Sequence, residues 1–589
     1  MAEPIERPLP SGANAPAFGS DVVADTLRAL DIPYIALNPG ASYRGLHDSL
    51  VNYLGNTAPQ MLLCLHEESA VAIAHGYAKV TGRAMAVALH SNVGLMHATM
   101  AIFNAWCDRM PVLLLGATGP LDAAKRRPWI DWIHTARDQG ALIRPYTKWD
   151  DQPASPAAAR ESLLRAMWLA NTAPQGPVYV NLDAEMQEAK LAEPLPPIDA
   201  ARFMPPAVGA PDPVAVAKAA ALLKAAKNII ILAGRVSRSE ASWAARVRLA
   251  ETLGARVITC LKTAASFPTD HPLHLGAPAV LTPDAEGLAA LAKADLILSL
   301  DWVDLAGTLK AAKAPGGNAK VINVSIDYQI HNGWSMDHQG LPPVDLMLAA
   351  DPEHAVPQLV DALGASGAPA ANPAARNEPQ LADGPLTVEH LARALREAVG
   401  GKPVSLTHLP LSWNGAWWPF RHPLDFLGSD GGGGLGAGPG NTVGAALALH
   451  GSGRLTIGIC GDGDFLMGVT ALWTAAHYRI PLLIVVANNR SFYNDEVHQE
   501  RVARMRNRPV ENKWIGQRIA DPDIDLAALA RAQGALGFGP VEEVRQLAPA
   551  FAEAIAAVEA GGVAVVDVRV APGYTPAMTA AVSNAERKA

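Results

Sequence analysis

"GDGDFLMGVTALWTAAHYRIPLLIVVANN", residues 461–489, opens on a Gly-Asp-Gly turn and closes on two asparagines. The run before it, "RLTIGIC", and the run near its end, "PLLIVVA", are short, continuous and apolar, as strands buried on both faces require. Between them Leu466, Val469, Leu472, Trp473 and Ala476 recur at helical spacing. The stretch therefore reads as a strand ending at Gly461, a crossover helix, and a second strand ending at Ala487. Such a crossover brings both strand ends to one edge of a parallel sheet, where open α/β sheets bind their ligands. Asp462 and Asn489, far apart in sequence, become spatial neighbours.

A carboxylate beside an amide oxygen at that edge suits a hard divalent cation that also takes phosphate oxygens and water. Mg²⁺ fits this donor set, and Ca²⁺ is a possible substitute. Gly461 and Gly463 allow the tight turn and a close backbone approach to phosphate. A Gly-Asp-Gly triplet alone is a common strand-end turn. The asparagine pair after a complete βαβ unit gives it weight.

The same pattern extends outward. "YIALNPG", "AMAVALHS", "PVLLLGAT" and "PVYVNLD" alternate with helix-patterned stretches such as "EESAVAIAHGYAKVTG". "NIIILAG", "ARVITC", "ADLILSL" and "AKVINVSID" form a second set, and "LTIGIC", "PLLIVVAN" and "VAVVDVRV" a third. Apolar runs separated by amphipathic helices indicate parallel sheets covered on both faces. The expected architecture is α/β, with three doubly wound parallel-sheet domains over residues 1–190, 205–360 and 386–589. A Pro/Ala-rich stretch near 192–212 reads as a connector. Residues 361–385, which include "GASGAPAANPAARNEPQLADGP", read as a linker.

The 589 residues are half hydrophobic and 18% charged, a globular composition with core enough for several domains. The net charge of −8 and the lack of Lys/Arg runs point away from nucleic acid. Cys64, Cys107, Cys260 and Cys460 are dispersed, without zinc spacing, and read as reduced thiols. No apolar stretch is long enough to span a bilayer, and the first twenty residues lack a secretory signal's apolar centre. A cytoplasmic protein without membrane association is expected.

The Gly-Asp-Gly turn, 24 intervening residues and the asparagine pair together resemble the signature of thiamine-diphosphate-dependent enzymes. "HEESAVAIAHGYAKVTGRAMAVALHS" followed by "NAWCDRMPVLLLG" looks like that family's pyrimidine-binding domain. "GGGGLGAGPGNTVGAALAL" looks like the segment before its diphosphate motif. Within the family the chain is most similar to the acetohydroxyacid synthase and benzoylformate decarboxylase branch, with "ALWTAAHYRIP" and "ALHSNVG" pointing toward the decarboxylase. The resemblance implies a pyrimidine-binding, a central and a diphosphate-binding domain. It implies thiamine diphosphate and Mg²⁺ as cofactors, the metal held by Asp462, Asn489 and the main-chain carbonyl of Ser491.

The family activates its cofactor through a carboxyl group facing the aminopyrimidine ring, a task for which an apolar site suits a carboxyl by raising its pKa. The match assigns this to Glu67, with Glu68 as rival by adjacency; on a helix the two point about 100° apart. Leu435 takes the place of the apolar side chain under the cofactor's bend. Gly433, Gly461, Gly463, Asp464 and Phe492 complete the implied cofactor contacts. Gly431, Gly433 and Gly436 also satisfy GxGxxG, but no clean strand precedes them, and a dinucleotide fingerprint is rejected.

His90 resembles the decarboxylase branch's catalytic histidine, and its usual pKa range suits proton relay. In "NPGASYRG" Ala41 stands where that branch carries Ser, and Ser42 follows. The central segment offers Asp301, Trp302 and Asp304 where a second histidine is expected. Ala41, Ser42, His90 and His408 are candidate substrate-lining residues. The polar, Arg-rich "SFYNDEVHQERVARMRNRP" reads as a lid toward an anionic substrate.

The function implied is decarboxylation of a 2-oxo acid, or cleavage or formation of a C–C bond beside a carbonyl, through ylide and enamine intermediates. The alternatives are an acetolactate synthase-like carboligase, a flavin-containing redox relative and a non-catalytic subunit. The expected partners are a small 2-oxo acid or aldehyde and further copies of the chain, as a homodimer or homotetramer with its active site between subunits.

Overall fold

All strand pairings within the three sheets are parallel, and short apolar runs form their inner strands. The computed structural model describes residues 6–12, 15–280, 282–313, 319–329, 340–364, 381 and 384–574. The first sheet comprises β1 (Tyr34–Leu37), β2 (Gln60–Leu63), β3 (Met85–Leu89), β4 (Val112–Thr118), β5 (Asp150–Asp151) and β6 (Val178–Asp183), in the order β2-β1-β3-β4-β6-β5. The second comprises β7 (Ile229–Ala233), β8 (Arg256–Thr259), β9 (Leu296–Leu300), β10 (Lys320–Val324) and β11 (Leu346–Leu348), in the order β11-β10-β9-β7-β8. The third comprises β12 (Val404–His408), β13 (Leu455–Gly461), β14 (Leu482–Asn488), β15 (Leu536–Val541) and β16 (Val563–Arg569), in the order β12-β13-β14-β16-β15. Fold class and sheet direction are those the apolar runs imply.

Two local features differ from expectation. The crossover between β13 and β14 is two short helices, Asp462–Gly468 and Ala471–His477, not one. Gly468, where the first ends, lies so close to the Gly436 carbonyl that a Cβ would sit 2.2 Å from its oxygen. The stretch expected as a linker begins inside a helix, Pro352–Leu363, while residues 365–380 and 382–383 lie outside those described.

The first and third sheets are joined by one apolar core. Ile73 and Ala74 of the helix Glu67–Thr81, Val443 and Ala446 of the helix Ala437–Ala448, and Phe465 all belong to it. The two helices meet backbone to backbone. A Cβ on Gly444 would lie 1.9 Å from the carbonyl oxygen of Ile73, and one on Gly76 would lie 2.1 Å from that of Asn441. Only glycine permits this approach. The crossing fixes the helix that starts at Glu67 against the helix that follows the glycine-rich run.

Candidate active site

β13 and β14 pair in register to Gly461 opposite Ala487, so the Asp462 turn and the asparagine pair share one sheet edge. Asp462 is 4% exposed. Its Oδ1 accepts the Gly463 N–H at 2.9 Å and its Oδ2 accepts the Ser491 N–H at 3.1 Å. The same Ser491 N–H donates to Asn489 Oδ1 at 2.9 Å. A carboxylate and an amide oxygen thus converge on one N–H.

Burial pushes the Asp462 carboxyl up to about 6, against the pull of the surrounding backbone N–H groups. Asn488, the other member of the pair, turns inward, donating to Asp567 Oδ1 at 2.8 Å. Gly461 faces open space, with nothing within 4 Å of where its Cβ would be. Gly463 is pressed by the Phe492 ring, which a Cβ would meet at 2.5 Å. The Ser491 hydroxyl donates to Glu496 Oε1 at 2.6 Å. Ser491 also bridges to Arg518, fixing the strand exit.

The glycine run lies along the helix Ser91–Cys107, with Gly434 against Met100 and the Gly432 N–H donating to Asn104 Oδ1 at 3.1 Å. Leu435, 44% exposed, projects at the end of this run, and Gly436 follows with φ +102°. Asp464 points inward. Its Oδ1 accepts the Gly436 N–H at 2.7 Å, and its Oδ2 lies 3.3 Å from His408 Nε2. His408 is 8% exposed and also contacts Asp430 Oδ2 at 3.3 Å through Nδ1, which places it in the interior.

Glu67 is the first residue of its helix and is 6% exposed, whereas Glu68 is partly exposed beside Gly436. The two carboxylates separate as helical geometry requires. Glu67 Oε2 contacts His97 Nδ1 at 3.0 Å, and the His97 ring stacks on His66 at 5.2 Å. His90 caps the C-terminal end of β3. Its Nδ1 lies 2.8 Å from Ser42 Oγ, and its ring meets His134 edge-on at 4.7 Å. Burial, reinforced by His134, lowers the His90 pKa and favours the neutral imidazole. Ala41 is exposed beside this pair, on a surface depression of about 380 Å³ that also includes Gly40 and Arg44.

The candidates thus form four groups: Asp462, Gly463, Asn489, Ser491 and Phe492 at the turn; Leu435, Asp464 and His408 behind it; Glu67 at the start of its helix; and His90 with Ser42 at the end of β3. Among the described residues no hydrogen bond or ion pair joins Glu67 to the Asp462 turn. The Arg-rich segment after the turn forms the helix Tyr493–Met505 and a 3₁₀ turn, Val510–Trp514, pinned by Arg504 and Lys513 on Glu500. Sequence reading missed His97, Lys79 and Asp430. Only Asp430, directly before the glycine run, carried a positional signal.

Three family profiles match in order along the chain: "Thiamine pyrophosphate enzyme, N-terminal TPP binding domain" at residues 18–142, the central domain at 216–376 and the C-terminal TPP binding domain at 411–568. The chain belongs to the thiamine pyrophosphate enzyme family. Within it, the chain is 28% identical over 458 residues to benzoylformate decarboxylase of Pseudomonas aeruginosa, covering 73% of this chain and 79% of that protein. It is 26% identical over 493 residues to the acetolactate synthase large subunit of Lactococcus lactis, covering 81% of each. The fold matches that of a 4-hydroxybenzoylformate decarboxylase from Rhodococcus jostii with a TM-score of 0.77 at 24% identity, covering 95% of this chain and all of that one. The chain is thus a thiamine-pyrophosphate-dependent enzyme of the decarboxylase and acetolactate synthase group. No helix among the described residues is long and apolar enough to cross a membrane.

Proposed function

We propose that this enzyme uses thiamine diphosphate and Mg²⁺ to remove CO₂ from a small 2-oxo acid, releasing an aldehyde. The observation that carries the reading is the convergence of Asp462 and Asn489 oxygens on the Ser491 N–H, beneath the open space at Gly461. The donor set fits the metal: hard oxygens only, one of them a buried carboxylate that a cation would stabilise in its charged form. Asp462, Asn489 and the Ser491 carbonyl would hold Mg²⁺, Leu435 would support the cofactor's bend, and Glu67 would hold a proton at a carboxylate oxygen facing the pyrimidine. When bound, the cofactor supplies a carbon nucleophile for the 2-oxo carbonyl and accepts the electron pair left by departing CO₂. His90, with Nδ1 engaged by Ser42, keeps Nε2 for moving a proton to or from the substrate.

The family resemblance implies a coenzyme held between two chains, and with no hydrogen bond or ion pair joining Glu67 to the Asp462 turn among the described residues, we place the site between two copies, in a homodimer or dimer of dimers. Sedimentation of cofactor-loaded protein tests this. A carboligase reading, in which a second carbonyl replaces the proton, draws support from Ala41 in the first loop and from the similar identity to acetolactate synthase. Incubation with thiamine diphosphate, Mg²⁺ and a panel of 2-oxo acids separates the outcomes. CO₂ with an aldehyde supports decarboxylation, and a hydroxyketone supports ligation. Failure of the folded protein to take up the coenzyme overturns both.

A further inference from the structure

The chain between Gly428 and Gly438, which carries Leu435, is fastened at both ends by buried charges. At its start Lys79 Nζ donates to the carbonyls of Gly428 at 3.2 Å and Ser429 at 3.0 Å, and also contacts Asp430 and Asp108. Asp430 Oδ1 accepts from Asn441 Nδ2 at 2.5 Å. At its end the helix Ala437–Ala448 has no capping side chain of its own at Gly436. The Asp464 carboxylate performs that service from another segment, through the Gly436 N–H at 2.7 Å and the Gly438 N–H at 3.4 Å.

Two carboxylates, Asp430 and Asp464, therefore lie buried at the two ends of one loop, close to where a diphosphate would add further negative charge. His408 stands between them, 3.3 Å from each. Among the described residues, neither His408 Nδ1 nor Asp464 Oδ2 has an aligned hydrogen-bond partner, so the two 3.3 Å approaches are close charge contacts. Removing one member of such a set leaves an uncompensated buried charge.

We propose that His408 is a positioning residue: its imidazolium bridges Asp430 and Asp464, ties the two ends of the glycine-rich loop together, and so sets Leu435 for the coenzyme. The assignment to the coenzyme rests on the proposed function; the tie itself is a property of the loop. Burial lowers the His408 pKa, but the Asp464 and Asp430 carboxylates outweigh it and raise the value to about 9, which agrees with a charged ring at neutral pH. Cys460 also faces this group and stays a thiol, because burial and Asp464 push its pKa well up.

The test compares His408→Gln with the double variant His408→Gln/Asp464→Asn, which removes the cation and one carboxylate together. Amide hydrogen exchange of the coenzyme-free protein should rise at least tenfold across residues 428–438 in the single variant and stay unchanged in β7–β11. Affinity for thiamine diphosphate with Mg²⁺, followed by tryptophan fluorescence, should fall at least tenfold. The double variant should return the exchange readout to within about threefold of wild type, since the amide introduced by Asp464→Asn still accepts the Gly436 N–H and no carboxylate is left unpaired at that end of the loop; its coenzyme affinity stays lowered, because Asp464 is itself an implied coenzyme contact. An unchanged single variant, or a double variant whose exchange across residues 428–438 is as raised as the single one's, overturns the proposal. Wild-type protein that shows no coenzyme binding would remove the proposed function, while the exchange comparison would still decide whether His408 ties the loop.

Discussion

The Ser491 N–H donates to the Asp462 carboxylate at 3.1 Å across 29 positions of sequence, and the same N–H is shared with Asn489 Oδ1. The contact fixes the two oxygens side by side before any metal arrives. Such preorganisation lowers the cost of ordering the site on binding. Substituting Asp462→Asn keeps the shape and removes the charge. We expect affinity for thiamine diphosphate with Mg²⁺ to fall at least a hundredfold, while the coenzyme-free protein melts no earlier, because a buried unpaired charge has been removed. Coenzyme at a hundred times its Kd should stabilise the wild type by about 2.7 kcal/mol. EDTA should abolish that gain, and thermal unfolding with and without chelator measures it.

Glu67 offers a second test. It is buried at a helix start, with its carboxylate in contact with His97. Glu67→Gln preserves size and helix position and removes the proton-exchanging group. Turnover of a 2-oxo acid should fall about 10²–10⁴-fold, the range of a lost general acid–base group. Coenzyme affinity should change only a few-fold. Turnover retained at wild-type level would remove Glu67 from the mechanism.

The turn, both strand ends and the helix that starts at Glu67 were legible in the sequence because each follows local pattern: apolar runs, Gly-Asp-Gly, helical spacing. The edge strands β2, β5, β11, β12 and β15 were not. β15 (Leu536–Val541) is half glycine and proline at "GFGP", and its residues are largely exposed, so no apolar run marks it. The close backbone approach at Gly468, where the first crossover helix ends, was hidden because its partner, the Gly436 carbonyl, lies some thirty residues upstream. His408 illustrates the same limit. Beside tryptophans in "SLTHLPLSWNGAWW" it reads equally as a pocket, core or interface residue, and only the fold brings Asp430 and Asp464 to its two nitrogens.

The glycine-mediated helix crossing predicts a sharp steric response. Helix propensity alone favours Gly444→Ala by about 1 kcal/mol. The new Cβ, however, would lie 1.9 Å from the carbonyl oxygen of Ile73, backbone that cannot rotate away. Overpacking of this kind costs about 1–3 kcal/mol or more, so net destabilisation should win. Gly209→Ala, where the Cβ would meet nothing within 4 Å, serves as the control and should leave the unfolding free energy from urea titration within about 0.5 kcal/mol of wild type.

The charge on His408 makes a prediction with a definite sign. Its pKa is raised from 6.5 to about 9 by Asp464 and Asp430, against burial and the Lys79 charge. A histidine whose folded pKa exceeds its unfolded one contributes stability that is complete below pH 6.5 and fades as pH rises through about 9. The shift corresponds to about 2–3 kcal/mol at pH 7. Other groups titrate in the same window, Lys148 among them, because burial lowers its pKa to about 8. The wild type must therefore be compared with His408→Gln, in which those groups remain. The stability difference between the two, from urea unfolding, should shrink by about 2 kcal/mol between pH 7 and pH 9.5. A difference that stays constant over that interval would mean that His408 is neutral in the fold and that Asp430 and Asp464 are held by something else.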